Sequence, residues 1–234
     1  MPQQPSKDPR IVGGMQAQLS MLRARREAGA RSLGWKVGFG APAAMERLGI
    51  DAPLVGFLLD TVQLDNGTRV GLAGWTKPVA EPEIAVVMGS ELRGGASREQ
   101  AAAAIAALAP CIELADLDRA PDDVAAILAG NIYQRHVILG AADHTRAGGR
   151  LDGVHATVRR NGEEIASTTD PQALTGNHID IVRHVASVLE AFGERLAAGQ
   201  IIITGSITPP LFVERGEALA FDLAPIGSLA VSFD

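Results

Sequence analysis

Apolar residues in this chain gather in short runs separated by glycine, proline and asparagine, and that punctuation limits the possible folds more than any other feature. LVGFLL (54–59), EIAVVM (83–88), CIELAD (111–116), HVILG (136–140) and QIIITGSIT (200–208) have the length and composition of buried strands. VHATVRR and EEIAST flank Asn161-Gly162, a pair that accepts positive φ at both central positions of a tight hairpin. FDLAPIGSLAVSFD closes the chain as an alternating hairpin, with Leu229, Val231 and Phe233 on one face.

Helical periodicity is rarer. Met15, Leu19 and Leu22 predict a helix over 15–28, stopped at Gly29. Ser97 and Gln100 form a capping box that predicts a helix over 98–108, with Pro110 ending it. A third helix is expected over 121–129. A fourth is expected over 179–193, with a stripe of Val182, Val185, Leu189 and Phe192 and Gly193 at its end. The helices come singly and not in strand–helix alternation, which predicts an α+β fold rather than a doubly wound sheet. The expected organisation is a single catalytic domain, 1–234. Residues 1–12 read as a flexible arm, and 13–50 as a helical segment packing on a β-rich core.

Hydrophobic residues make up 47% of the chain, enough for a core without covalent staples. The net charge is -6 with Lys and Arg scattered, so no face is built for a phosphate backbone and nucleic acid is not an expected partner. The single cysteine, Cys111, rules out an internal disulfide and a thiolate metal cluster. No apolar run is long enough to span a bilayer and the N-terminus lacks a signal-peptide core. A cytoplasmic protein is expected.

Glu81-Pro82-Glu83 opens an apolar strand, and residues i and i+2 of a strand share a face. Glu113 sits between Ile112 and Leu114 in another apolar strand. Glu-x-Glu is a common pattern, and spacing alone favours three unrelated, solvent-facing glutamates at strand edges. Their apolar surroundings favour a joint role, because clustered buried carboxylates repel one another and lose hydration. A divalent cation relieves both. Oxygen donors without Cys or clustered His select a hard ion, Mg²⁺ or Mn²⁺. Lys36, in the glycine-rich LGWKVGFGAP segment, is either a surface lysine or a group able to bind a substrate carboxylate or move a proton. His136, just before VILG, is a further pocket candidate. His184, on the 179–193 helix, is expected to be structural or exposed. No G-x-S-x-G elbow is present, which argues against an α/β-hydrolase.

Taken in order, GWKVGFGAPAAMERLGI, KPVAEPEIAVVMG, PCIELAD, GNIYQRHVILG, VRRNGEEIAS, AGQIIITGSITPPLFVERGE and IGSLAVSF resemble the fumarylacetoacetate hydrolase superfamily. The resemblance is to its 2-keto-4-pentenoate hydratase and 4-oxalocrotonate decarboxylase branch. It runs from about residue 15 to the end. It implies a mixed β-roll with flanking helices and a cytoplasmic homo-oligomer. It further implies Glu81, Glu83 and Glu113 as ligands of Mg²⁺ or Mn²⁺, and Lys36 as the lysine of a G-[YW]-K-[IV]-G motif that binds substrate and transfers a proton. The implied substrate is a small 2-oxo or 2-hydroxy acid, and the implied reaction is hydration of a 2-hydroxy-2,4-dienoate from aromatic-compound breakdown. The alternatives are decarboxylation or tautomerisation of a 2-oxo diacid at the same site, or a non-catalytic partner of such an enzyme.

Two stretches depart from the family pattern. Ala52-Pro53-Leu54-Val55-Gly56 places Leu54 where the hydratases carry an acid. Ile132, Tyr133 and Gln134 replace small residues after Asn131. Tyr133, Gln134 and His136 are therefore the expected specificity residues.

Overall fold

The structure, a computed structural model, describes residues 7–234. Helix α1 spans Pro9–Glu27, α2 Pro42–Leu48, α3 Arg98–Ala104, α4 Val124–Ala129 and α5 His178–Ala191. The strands are β1 Ser32–Gly38, β2 Leu54–Leu59, β3 Gln63–Leu64, β4 Arg69–Val70, β5 Pro78–Met88, β6 Ile105–Asp116, β7 Gln134–Leu139, β8 His155–Arg160, β9 Glu163–Thr168, β10 Ile201–Ser206, β11 Leu211–Phe212, β12 Ala218–Ala224 and β13 Gly227–Phe233. They form two sheets. The larger has the order β2-β1-β10-β5-β6-β7-β3, with β11 added beside β5, and the smaller β4-β13-β12-β8-β9. This is the expected mixed α+β architecture. No described helix is long and apolar enough to cross a membrane.

The N-terminal expectation needs correcting. The described part of the presumed arm is helical from Pro9, because Asp8 caps α1 by accepting the Arg10 N–H and Pro9 supplies a helical φ in the first turn. The rest of that arm, 1–6, lies outside the described residues. Met15, Leu19 and Leu22 of α1 are buried, each worth roughly 1.5–3 kcal/mol of apolar burial. Gly14 lets α1 approach α4 closely, since a Cβ there would lie 2.7 Å from the Leu128 Cβ. Buried Gln18 donates to the carbonyls of Val55 and Leu128, tying α1 to β2 and α4.

The second correction concerns 98–108. The capping box forms as expected, but α3 ends at Ala104 and β6 starts at Ile105, running through Pro110. An alanine-rich run favours helix locally, but this one is drawn into the centre of the sheet and buried there, a case of packing overriding propensity. Prolines are rare in central strands because they lack a donor. Pro82 accepts from Ile207 N–H on the β10 side, where the β10 register is irregular. Pro110 accepts from Gly140 N–H just beyond the end of β7. In an antiparallel ladder N–H and C=O of one residue point to the same neighbour. Each missing donor therefore faces a place where regular pairing has already lapsed.

The other elements follow the sequence closely. Asn161 and Gly162 both have positive φ and join β8 to β9. Helix α5 buries Ile181, Val182, Val185 and Leu189. Leu229, Val231 and Phe233 of β13 are buried together.

One face of the large sheet joins the main core through Trp35, Val37, Phe57 and Ile84. The opposite face carries Leu58, Ala85, Ala109, Cys111, Val137 and Ile203, and the functional groups lie on this second face.

Candidate metal centre

Strands β5 and β6 pair in register with Glu81 opposite Glu113 and Glu83 opposite Cys111. Directly opposed residues share a face, so both glutamates of β5 and the one of β6 point the same way. One carboxylate oxygen from each lies within 4.8 Å of the others. Glu83 and Glu113 are almost fully buried, at 1% and 0% exposure, while Glu81 keeps part of its side chain at the surface.

Lys36 reaches this cluster from β1. Its Nζ donates to Glu113 Oε1, and to the Ile132 carbonyl at 3.1 Å. Strands β10 and β5 separate β1 from β6. In a flat sheet that separation would be about 14 Å, three strand spacings, beyond the reach of a lysine. The contact therefore records how tightly the sheet is rolled, and it makes the site a product of the curl.

The electrostatics favour a cation. Desolvation pushes Glu83 well above the ordinary carboxylate range, and Glu113 and Glu81 add repulsion. Glu113 is raised to about 7 by burial, against the attraction of Lys36. Burial also raises Glu81, again opposed by Lys36. One ammonium faces three carboxylates, so the group as a whole lacks positive charge. Glu113 Oε2 is buried without a hydrogen-bond partner, and the Gly205 N–H holds Glu83 Oε2 at 2.7 Å. Three oxygen donors, one of them an orphaned buried acceptor, suit a hard divalent cation. Cys111 shares the face, and burial and the nearby carboxylates push its thiol up, which disfavours a thiolate beside the glutamates.

The remaining sequence candidates are dispersed. A register shift in β7 sets Gln134 opposite Ala115, on Glu113's face, and its Nε2 is buried without a partner. Tyr133 has φ 63° and sits with its ring 6.3 Å from that of Phe39, its hydroxyl donating to the Ala120 carbonyl. His136 pairs with Leu114, so it points to the opposite face, beside the Trp75 ring. His184 bonds the Pro53 carbonyl through Nε2, and burial lowers its pKa. Leu54 is opposite Gly38 at the end of the β1–β2 pairing and packs in the main core. A separate cavity of about 450 Å³ between α1, the 51–55 segment and α5 contains none of the carboxylates.

Several buried polar groups on the surrounding elements were not picked out by the sequence. Asn131 bonds both backbone groups of Phe57. Asp116, fully buried, accepts from the N–H groups of Thr76 and Lys77 and from Arg135. Thr208 Oγ1 is buried and unpartnered in the loop after β10. An Asn before a run of bulky residues, and a threonine ahead of Pro-Pro, were the only sequence signals available.

A family model described as fumarylacetoacetate (FAA) hydrolase C-terminal matches residues 37–233. The chain belongs to the fumarylacetoacetate hydrolase family. It is 30% identical to 2-hydroxyhexa-2,4-dienoate hydratase of Comamonas testosteroni over 92% of its own length and 83% of that protein. It is 27% identical to 4-oxalocrotonate decarboxylase of a Pseudomonas species, over 91% of its own length and 82% of the other. The solved structure of 4-oxalocrotonate decarboxylase from Pseudomonas putida G7, complexed with magnesium and adipate, superposes with a TM-score of 0.87 at 26% identity. That match covers 96% of this chain and 86% of the other. The expected family and fold are thus both found.

Proposed function

We propose that this chain is a metal-dependent lyase that hydrates a small 2-hydroxy-2,4-dienoate. The observation that carries the reading is the buried cluster of Glu81, Glu83 and Glu113 joined to Lys36. The three carboxylates would hold Mg²⁺, or Mn²⁺ by the same donor chemistry. A cation bound there supplies Lewis-acid stabilisation of the negative charge that builds on oxygen when a 2-oxo acid enolises.

The chain's own groups do the rest. An ammonium has three N–H donors, and Glu113 and the Ile132 carbonyl take two of those of Lys36. The third is left for a substrate oxygen or for carrying a proton between oxygen and carbon. Gln134 Nε2, on the same face and unpartnered, would hold a polar group of the substrate, and Tyr133 and Phe39 would border its tail. His136 belongs in this proposal only as support for the β7 backbone, since it faces away. Burial of Lys36, Glu83 and Glu113 keeps bulk water from screening these interactions. The net reaction adds water across the C4–C5 double bond, with Lys36 carrying the proton that ketonisation moves to carbon. We further propose that the protein works in the cytoplasm as a homo-oligomer.

Leu54 supports a second reading. It puts an apolar side chain at the position where the hydratases that this chain resembles carry an acid. A site without that acid suits loss of CO₂ from a 2-oxo diacid, which needs no added water. The Mg²⁺-loaded protein should be given 2-hydroxypenta-2,4-dienoate and 4-oxalocrotonate in parallel. Hydration is supported by loss of dienol absorbance, decarboxylation by CO₂ release. Failure of both reactions, with Mg²⁺ bound, overturns both readings.

A further inference from the structure

We infer that Asn131 is a positioning residue: its side chain holds a left-handed turn in the place where the Ile132 carbonyl can orient Lys36. Asn131, Ile132 and Tyr133 have φ of 57°, 52° and 63°. Three consecutive L-residues in the left-handed region oppose their own sterics, and a β-branched isoleucine does so most. Something outside the turn must therefore impose it.

The Asn131 side chain does this. Its Oδ1 accepts from Phe57 N–H at 2.8 Å, and its Nδ2 donates to the Phe57 carbonyl at 2.9 Å. The amide thus pairs with β2 as another strand would, and fastens the turn to the strand beside Lys36. Gly56 is the cross-strand partner of Lys36. A Cβ on Gly56 would come within 2.9 Å of both Asn131 Oδ1 and Lys36 Cγ. A Cβ on Gly38 would come within 2.7 Å of Ile132 Cγ2. Two side-chain-free positions, one amide and one strained turn therefore form a single fitted unit around the lysine stem.

The consequence concerns the ammonium. With Glu113 alone as partner, Nζ could swing about a single hydrogen bond. The Ile132 carbonyl at 3.1 Å adds a second fixed acceptor, and two acceptors determine where the third N–H points. The hydrogen bonds of the Asn131 side chain go to the Phe57 backbone and not to the carboxylates, so it acts through the turn.

The functional half of this inference rests on Lys36 taking part in the proposed reaction; the geometric half does not. The decisive variant is Asn131→Gly, which accepts positive φ but removes the clamp. In Mg²⁺-loaded protein with ¹⁵N-labelled lysine, the Lys36 ammonium resonance should broaden or vanish in the variant and remain sharp in the parent. Mg²⁺ affinity, measured by calorimetry, should stay within about threefold, and turnover should fall about 10- to 100-fold, as for other groups that orient a site. KM should change by less than about threefold, because the loss is confined to the reacting state. Asn131→Gly with an unchanged ammonium resonance and unchanged kcat overturns the inference, and leaves Asn131 as a mere left-handed residue. If that variant fails to fold, Gly56→Ala decides: it keeps Asn131 but crowds it against Lys36, and should give the same spectral and kinetic changes. If the parent turns over neither substrate, the proposed function falls while the resonance still tests the clamp.

Discussion

The carboxylate cluster and the 131–133 turn meet at the same lysine ammonium, yet they are held in place by opposite means. The glutamates stand on two long strands paired without a break from Pro78 to Val87. Alternation alone aims them, and no special contact is needed. The turn has no ladder of its own. Its conformation runs against intrinsic preference by about 1–2 kcal/mol per residue, and the Asn131 amide and the chain ends on either side must offset that. A regular element delivers charge to a site at little conformational cost. An irregular one delivers a carbonyl at an angle no ladder offers, and becomes the more fragile half.

The comparison breaks most sharply at Glu83. Glu83→Gln should weaken Mg²⁺ binding by more than about 100-fold, since even supporting groups around a metal are worth 10–100-fold. Turnover should drop below detection. Stability should move the other way when the metal is chelated. The folded state disfavours the ionised Glu83, so a neutral isostere melts no lower than the parent in EDTA and gains nothing from Mg²⁺. Calorimetry and paired melting curves check both halves, and a variant that still gains from Mg²⁺ removes Glu83 from the ligand set.

Lys36→Ala should separate the two walls. Turnover should fall about 10²- to 10⁴-fold, the usual worth of a positioned proton-transfer group. Mg²⁺ affinity should hold or increase, because the variant removes a cation that touches Glu113. Steady-state kinetics with a metal titration measure this, and a parallel loss of metal would make Lys36 structural.

That contrast also explains what was legible in the sequence. The trio could be read from Glu-x-Glu spacing and apolar neighbours because strand alternation is a local rule. The hairpin at Asn161-Gly162 and the stripe of α5 were legible for the same reason. Lys36 was not readable from spacing. Its approach to Glu113 depends on sheet curl, which joins residues 77 positions apart. Nor was the helix-to-strand change at Ala104–Ile105, where local propensity favoured helix and burial between two strands prevailed. Asn131 carried only the faint signal of an Asn ahead of bulky residues, because its partner lies on β2, 74 residues away. His136 was misleading: its nearness to Gln134 in sequence hides a register shift that sends the two to opposite faces.

A smaller effect sharpens the electrostatic side of the comparison. Burial raises all three carboxylates, Glu113 to about 7, and a metal must displace any proton they hold. Below pH 7 Glu113 of the cation-free site is mostly protonated and competes with the metal; above it Glu113 is mostly ionised. Mg²⁺ affinity should therefore rise between pH 6 and pH 8, by up to about tenfold per pH unit for each proton released. Calorimetry in buffers of differing ionisation enthalpy counts those protons. A pH-independent affinity would mean the carboxylates are already ionised in the free protein.

The smallest effect falls where β6 leaves the site. Asp116 is the last residue of that strand, and it joins the 76–77 segment to β7. Desolvation pushes its carboxyl up, but the N–H groups of Lys77 and Thr76 and the Arg135 guanidinium outweigh this and hold it below 3.8. A lowered folded-state pKa adds stability that is fully present above the unfolded value and is lost as pH falls through the folded one. Asp116→Asn keeps one acceptor and loses the charge-assisted bond to Arg135, which is half-exposed and so worth little beyond its geometry. The variant should lose roughly 1–2 kcal/mol in urea at pH 7, and the gap to the parent should close as pH drops below 3.8. Metal affinity should be unchanged, because the ligands stand on the ladder, not on this joint. If Asp116→Asn weakened Mg²⁺ binding, the glutamates would depend on the irregular ends of their strands as much as Lys36 depends on its turn, and the contrast between the two regions would disappear.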